Sequence, residues 1–336
     1  MDTMLSLLQS QLQRPRNRLL LAGLAAIGSL WTARQLNNLI NFVHLHFWRR
    51  GTLQRLCQTD ASGAPWALIT GASDGIGKGF AQELCQQGFN IILHGRNEKK
   101  LENVKAELTQ QWPGRSIEIF ILDASTTPTD VQALQAAATR FSHLNLRLLI
   151  NNVTGAPYPL FEPFANRSAA ELAGAISASI PFPTHLTRVF LPQLIQHQPS
   201  SIMDIGSGST EMPTPYISYF SGAKAYDKVW SQALGRELKL EGHDVEVMHF
   251  LVGMVATNTP ADRKPSFFIP TARVFARYCL RMVGSGRRVV WPYWPHAVQL
   301  DWVVGILPEW MMERSMMSIV KKMKANEAAA SVKAAS

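Results

Sequence analysis

Cysteine is nearly missing from this chain. Cys57, Cys85 and Cys279 are the only three in 336 residues, and no metal-like spacing connects them. That excludes a disulfide-stapled scaffold and a zinc ribbon. Acid is missing from the start: no Asp or Glu stands between Asp2 and Asp60, and every Lys or Arg there is Arg. Charge is sparse overall, at 17% of residues against 46% hydrophobic. Such a composition excludes a disordered polyelectrolyte and leaves material for a large core. Neither a repeat nor a linker divides residues 61–300, so the length fits one large α/β domain with flanks.

The net charge of +9 is unevenly spread. Residues 1–60 carry +5 and residues 311–336 carry +3, which leaves the body at +1. A nucleic-acid binder concentrates its basic patch on the folded domain, so nucleic acid is not an expected partner. Basic flanks around a neutral body point instead to a membrane surface or a targeting address.

Residues 19–31, LLLAGLAAIGSLW, form an apolar run preceded by Arg14, Arg16 and Arg18, and a second apolar stretch covers 39–48. Neither reaches the roughly 20 residues that span a bilayer. The whole of 19–48 fits a span with Arg34 snorkelling, or an interfacial helix. An acid-free, Arg-rich start also fits a mitochondrial presequence. A soluble core helix is the bland alternative.

Residues 66–70, WALIT, read as a buried strand that runs into Gly71-Ala72-Ser73-Asp74-Gly75-Ile76-Gly77 and then a helical pattern. Strand, glycine turn and helix in that order are what a dinucleotide needs. Gly71 permits the tight turn, and Gly75 and Gly77 let backbone approach a pyrophosphate on the helix N-terminus. The next strand, 91–94, ends at Gly95-Arg96, where a NAD site usually places an acid. Arg96, with Lys78 in the turn, favours a 2′-phosphate and hence NADP(H). Further strands are expected at 117–122, 147–152, 201–206, 246–251 and 288–293, with helices at 97–111, 129–141, 168–197 and 220–241. The first of these strands ends in Asp123, placed to reach an adenine. The alternation predicts a Rossmann-like, doubly wound parallel sheet in a single domain, with ligand at its C-terminal edge.

Residues Thr70 to Gly77, Asn151-Asn152-Val153, and Ser207 with Lys224 resemble the short-chain dehydrogenase/reductase family. The phrases DGIGKGFAQEL, NIILHGRNEKKL, GSGSTEMPTP and MVAT are similar to its membrane-associated branch of 17β-hydroxysteroid dehydrogenases and very-long-chain 3-oxoacyl-CoA reductases. The resemblance implies NADP(H) held by Gly71, Ser73, Asp74, Gly75, Ile76, Gly77, Lys78, Arg96, Asp123, Asn151, Lys224 and Thr257. It implies a Ser that polarises a carbonyl, here Ser207, and a Lys that tunes a Tyr proton donor, here Lys224. It also implies an Asn that supports a proton-relay water. Two of these are replaced: Phe220 stands where the Tyr belongs, and Ser179 where the Asn belongs. Thr154 replaces a Gly in the Asn-Asn-x-Gly motif, and Val252-Gly253 replaces a Pro-Gly. A phenyl ring has no proton to give, so weak or absent turnover is expected, with an active reductase as the alternative. Tyr219 is turned away by about 100°, and Tyr216 is expected to precede the helix.

The C-terminal part completes the expectations. A substrate lid is expected near 258–285, where Phe267, Phe268, Phe275 and Tyr278 form either an apolar pocket for a steroid or long acyl-CoA-like ligand or an ordinary core helix face. Residues 302–320, rich in Trp and Met, fit a membrane surface or a homodimer. Lys321, Lys322 and Lys324 stand ready for lipid phosphates. Residues 325–336 read as a disordered tail. The family branch and apolar segment favour the endoplasmic reticulum membrane, and the Arg-rich start favours the mitochondrion.

Overall fold

The computed structural model describes residues 15–59, 63–257, 264–303, 305 and 307–335. They fall into two compact units, one ending at Arg50 and one beginning at Gly51. The expected lid loses residues 258–263, which lie outside the described residues.

The first unit is a single helix, α1 (Pro15–Val43), continued by a π-helical turn over His44–Trp48. The two apolar runs therefore join into one element. Pro15–Trp48 is long and apolar enough to cross a membrane by length and composition. At about 1.5 Å per residue, α1 exceeds the roughly 30 Å of a hydrocarbon core. No residue of α1 is buried, which is not the pattern of a soluble core helix.

In the second unit, the described residues form a seven-stranded sheet in the order β3-β2-β1-β4-β5-β6-β7. The strands are β1 (Trp66–Ile69), β2 (Asn90–Gly95), β3 (Ile117–Ile121), β4 (Leu146–Asn151), β5 (Ser200–Ile205), β6 (Val245–Phe250) and β7 (Val289–Val290). Each adjacent pair is parallel. β1, β2, β4 and β5 are buried along their whole length, as strands covered on both faces must be. The crossover helices are α2 (Gly75–Gln87), α3 (Glu98–Gln111), α4 (Val131–Arg140), α5 (Ala169–Ser179), α6 (Pro181–Gln196) and α7 (Ser218–Leu240). Strand order reverses between β1 and β4, which opens a crevice at the strands' C-terminal ends.

The helix expected over 168–197 is two helices. Ile180, at φ −122° and ψ −72°, separates α5 from α6. Pro181 lacks an N–H and disfavours helical geometry in the residue before it. Ser168 starts α5 with a capping box, exchanging bonds with Glu171.

Of two C-terminal expectations, one alternative is favoured by the packing and the other expectation needs correction. Helix α8 (Ala272–Arg281) packs on α2 so closely that a Cβ at Gly79 would lie 2.7 Å from the Ala272 carbonyl. Phe275 is fully buried, with its ring 6.1 Å from that of His296, and Tyr278 sits edge-on to Tyr293. Phe267 packs against Phe268 and Trp294. None of these four rings lines the cavities described below. After the short helix α9 (Trp294–Ala297), the chain ends in α10 (Glu309–Ala335). Residues 325–335 are thus helical, because alanine is the strongest helix former and Glu327 anchors the segment to the body.

Candidate active site

The glycine turn is braced from β4. Gly71 takes φ 65°, which suits only glycine well, and a Cβ at Gly77 would lie 2.3 Å from the Gly71 carbonyl oxygen. The Thr70 hydroxyl accepts from the backbone N–H groups of Asn152 and Val153, and Asn152 Nδ2 donates to the Thr70 carbonyl at 2.9 Å. Asp74 caps α2, its carboxylate accepting from Gly75 N at 2.7 Å. The result is a backbone cradle at a helix N-terminus that side chains would fill, and it fits a dinucleotide pyrophosphate.

Two cavities flank the turn and share Gly71, Val153 and Thr154. The first, about 500 Å³, is lined by Gly71, Ser73, Arg96 and Asp123 among others. Arg96 is exposed and lies 3.8 Å from Asp123. Burial pushes the Asp123 carboxyl up, but bonds from Ser125 and the charge of Arg96 bring it lower than usual, so it is ionised at neutral pH. Lys78 is placed elsewhere: its ammonium pairs with Glu107 at 2.6 Å, beside a separate cleft that also holds Asp74 and Thr257. His94 also lines the first cavity and was not singled out by the sequence. Burial pushes its imidazole down to about 3, which keeps it neutral.

The second cavity, about 430 Å³, brings together Ile76, Ser207, Phe220, Lys224 and Thr257. Ser207 follows β5, and its hydroxyl accepts from Ser209 N at 3.1 Å. Lys224 is nearly buried on α7 and donates to the Ile205 carbonyl at 2.8 Å and to Asp227 at 3.1 Å. An ammonium has three donors, so one remains for a ligand in the cavity. Asn151 sits behind this wall and lines neither cavity. It donates to Asp204 at 2.7 Å and to Thr187 at 3.0 Å. Burial, then the neighbouring Asp227, pushes the Asp204 carboxyl up to about 7, against the pull of Asn151 and Lys224. Sequence reading missed this acid pair, although Asp227 stands three residues after Lys224 on one helix face.

The replaced positions meet in space. The Thr154 hydroxyl lies 3.3 Å from the Ser179 hydroxyl, and Ser179 also accepts from Gly155 N. The two hydroxyls are thus within hydrogen-bond reach of one another although they stand 25 positions apart in sequence. Phe220 is half-buried on α7. Neither Tyr216 nor Tyr219 lines the cavity with Lys224. Tyr216 precedes α7, and burial raises the Tyr219 phenol, whose charged neighbours are Arg167 and Glu171 around the start of α5.

A third cavity, about 650 Å³ and largely apolar, opens beside Phe220. Tyr158, Leu160, Phe161, Ile217, Met254 and Met323 supply its apolar wall. Phe220 and Thr257 belong to both this cavity and the one with Lys224.

Comparison with known proteins agrees with this geometry. The short chain dehydrogenase family profile matches residues 65–266. A very-long-chain 3-oxoacyl-CoA reductase of Neurospora crassa is 35% identical over 287 residues, covering 84% of this chain and 83% of the relative. The human inactive hydroxysteroid dehydrogenase-like protein 1 is 31% identical over 297 residues, covering 86% of each. Among solved structures, a short-chain dehydrogenase from Sphingobium yanoikuyae in complex with NADPH superposes with a TM-score of 0.61 at 24% identity. It covers 76% of this chain and 95% of that one. Sheet order, glycine turn, and the Ser207 and Lys224 placement all lead to one assignment: the chain belongs to the short-chain dehydrogenase family.

Proposed function

We propose that this protein holds NADP(H) at the C-terminal edge of its sheet and an apolar steroid or long-acyl ligand beside it, with carbonyl reduction crippled by Phe220. The observation that carries this reading is the phenyl ring itself. It lines both the cavity with Ser207 and Lys224 and the apolar cavity, where a proton would have to be delivered. The cofactor, when bound, supplies a hydride. The chain's own residues do the rest. Gly71, Gly75, Gly77 and the start of α2 take the pyrophosphate, Arg96 and Ser73 the 2′-phosphate, and Asp123 the adenine side. Lys224 offers its remaining N–H to the nicotinamide ribose, and Thr257 faces the nicotinamide amide. Ser207 polarises a carbonyl that no residue then protonates. The two curated relatives carry opposite names, a reductase and an inactive protein, and Phe220 supports the second.

The Pro15–Trp48 helix serves as a membrane anchor in this reading, in the endoplasmic reticulum. Fractionation of cells expressing the full chain checks the membrane, and recovery with mitochondria would move the site there.

NADPH is expected to raise the melting temperature of the full chain, with a gain of about 2.7 kcal/mol at a hundredfold excess over Kd. Estrone and a 3-oxoacyl-CoA are expected to leave NADPH unconsumed. Robust turnover that disappears in Lys224→Ala would overturn the reading. Arg96→Ala is expected to weaken NADPH by about 10- to 100-fold, the worth of a charged hydrogen bond, and to leave NADH unchanged. Fluorescence titration with both nucleotides measures it.

A further inference from the structure

The apolar cavity has a wall that the sheet and its crossovers do not provide. Met323, Asn326 and Glu327 line it from α10, at spacings of three and four that put them on one helix face. Glu327 is the one buried residue in an otherwise exposed or half-exposed stretch, 321–329. Its two carboxylate oxygens accept from Leu160 N at 2.6 Å and Phe161 N at 3.0 Å. Bonds from backbone amides to a charged acceptor are among the strong ones. The same segment is held from its other side by Arg167, which donates to the carbonyls of Pro159 and Leu160. Three residues before Glu327, the Lys324 ammonium sits 4.3 Å from the Tyr216 ring. Tyr216 has a φ of 70°, rare for a non-glycine residue, and its ring meets Phe161 edge-on at 6.5 Å. Backbone in that region persists where the surroundings over-determine it. Loop 158–161, Tyr216 and α10 are thus fastened to one another around a single opening.

We propose that α10 is the ligand-selecting lid of this cavity, with Met323 setting how much apolar ligand fits and Glu327 acting as the positioning residue that latches the lid. This rests on the reading that the cavity takes an apolar ligand. Met323 is half-buried and unbranched, and such a thioether adapts to a chain or a ring system. The Glu327 carboxylate brings negative charge to this end of the cavity. An anionic head, such as the phosphates of an acyl-CoA, is repelled from this end. The ligand's apolar end lies under α10, and its carbonyl end points toward Phe220.

The test uses the full chain with NADPH and cis-parinaric acid, a long polyene whose fluorescence rises on burial. Met323→Trp fills the cavity and is expected to weaken the probe at least about tenfold. The NADPH-induced rise in melting temperature should be unchanged, which also shows that the variant folds. Met323→Ala, which cannot overfill, is expected to weaken it by about threefold. Glu327→Ala is expected to speed probe release about tenfold and to accelerate hydrogen exchange at Leu160, Phe161 and α10. Equal probe affinity in both Met323 variants overturns the lid's selecting role, and unchanged exchange in Glu327→Ala overturns the latch. A wild-type chain that binds NADPH but not the probe overturns the apolar-ligand reading itself and the lid with it.

Discussion

Phe220→Tyr is expected to raise NADPH-dependent carbonyl reduction by about 10²–10⁴-fold, the usual worth of a positioned general acid. The side chain differs by one hydroxyl, and the ring already lines the cavity that contains Ser207 and Lys224. A phenol there would stand four residues before Lys224 on α7, one helical turn away, where the ammonium's charge favours the phenolate. The lysine is set for this role: the Ile205 carbonyl and Asp227 fix its ammonium and leave one N–H outward. Adding Lys224→Ala to Phe220→Tyr should therefore return the rate to background. Proton resupply is a separate matter: the Thr154 and Ser179 hydroxyls lie 3.3 Å apart, and the resemblance implies a Gly and a water-supporting Asn at those two positions. Restoring that Asn with Ser179→Asn and Thr154→Gly should add to the gain. Steady-state NADPH consumption with estrone and a 3-oxoacyl-CoA measures each variant. A wild-type rate within about tenfold of the Phe220→Tyr rate would show that no donor is missing.

Much of this was legible because the relevant physics is local. Buried parallel strands are short apolar runs, and the glycine turn needs its glycines for reasons of backbone alone, so WALIT and Gly71 to Gly77 announce themselves. The Phe220 replacement is equally local, since register from Lys224 is fixed by helix spacing. What stayed illegible depends on contacts far apart in sequence. Thr154 and Ser179 each read as a loss, and only the fold shows that they face each other. The aromatic residues near 267–278 carry the right composition for a pocket, but α8 buries Phe275 in the core, while part of the apolar wall comes from Met323, about fifty positions further on. An alanine-rich tail looks disordered until a distant pair of amides gives Glu327 something to hold.

Glu83 is the place where the nucleotide-binding helix can be loosened without touching the cavity. Its side chain is 2% exposed on α2 and accepts from Arg273 at 2.6 Å and from Arg277 at 3.0 Å, both on α8. Burial pushes the carboxyl up, and the bonds and charges of Arg277 and Arg273 more than offset it, leaving Glu83 below the ordinary carboxylate range. Removing one partner of a fully buried pair costs about 3–5 kcal/mol. The arginine side chains are 34% and 53% exposed, so water takes over part of their solvation. Glu83→Gln is accordingly expected to cost about 2 kcal/mol, or roughly 4–8 °C in melting temperature. A lowered folded-state pKa means the contribution is complete above the unfolded value near 4.5 and fades as pH falls through the folded one. The stability gap between wild type and Glu83→Gln should therefore be constant from neutral pH down to about 5 and close on further acidification. Urea melts at stepped pH measure it, and a gap that stays constant through pH 3 would mean that Glu83 acts by shape and not by charge.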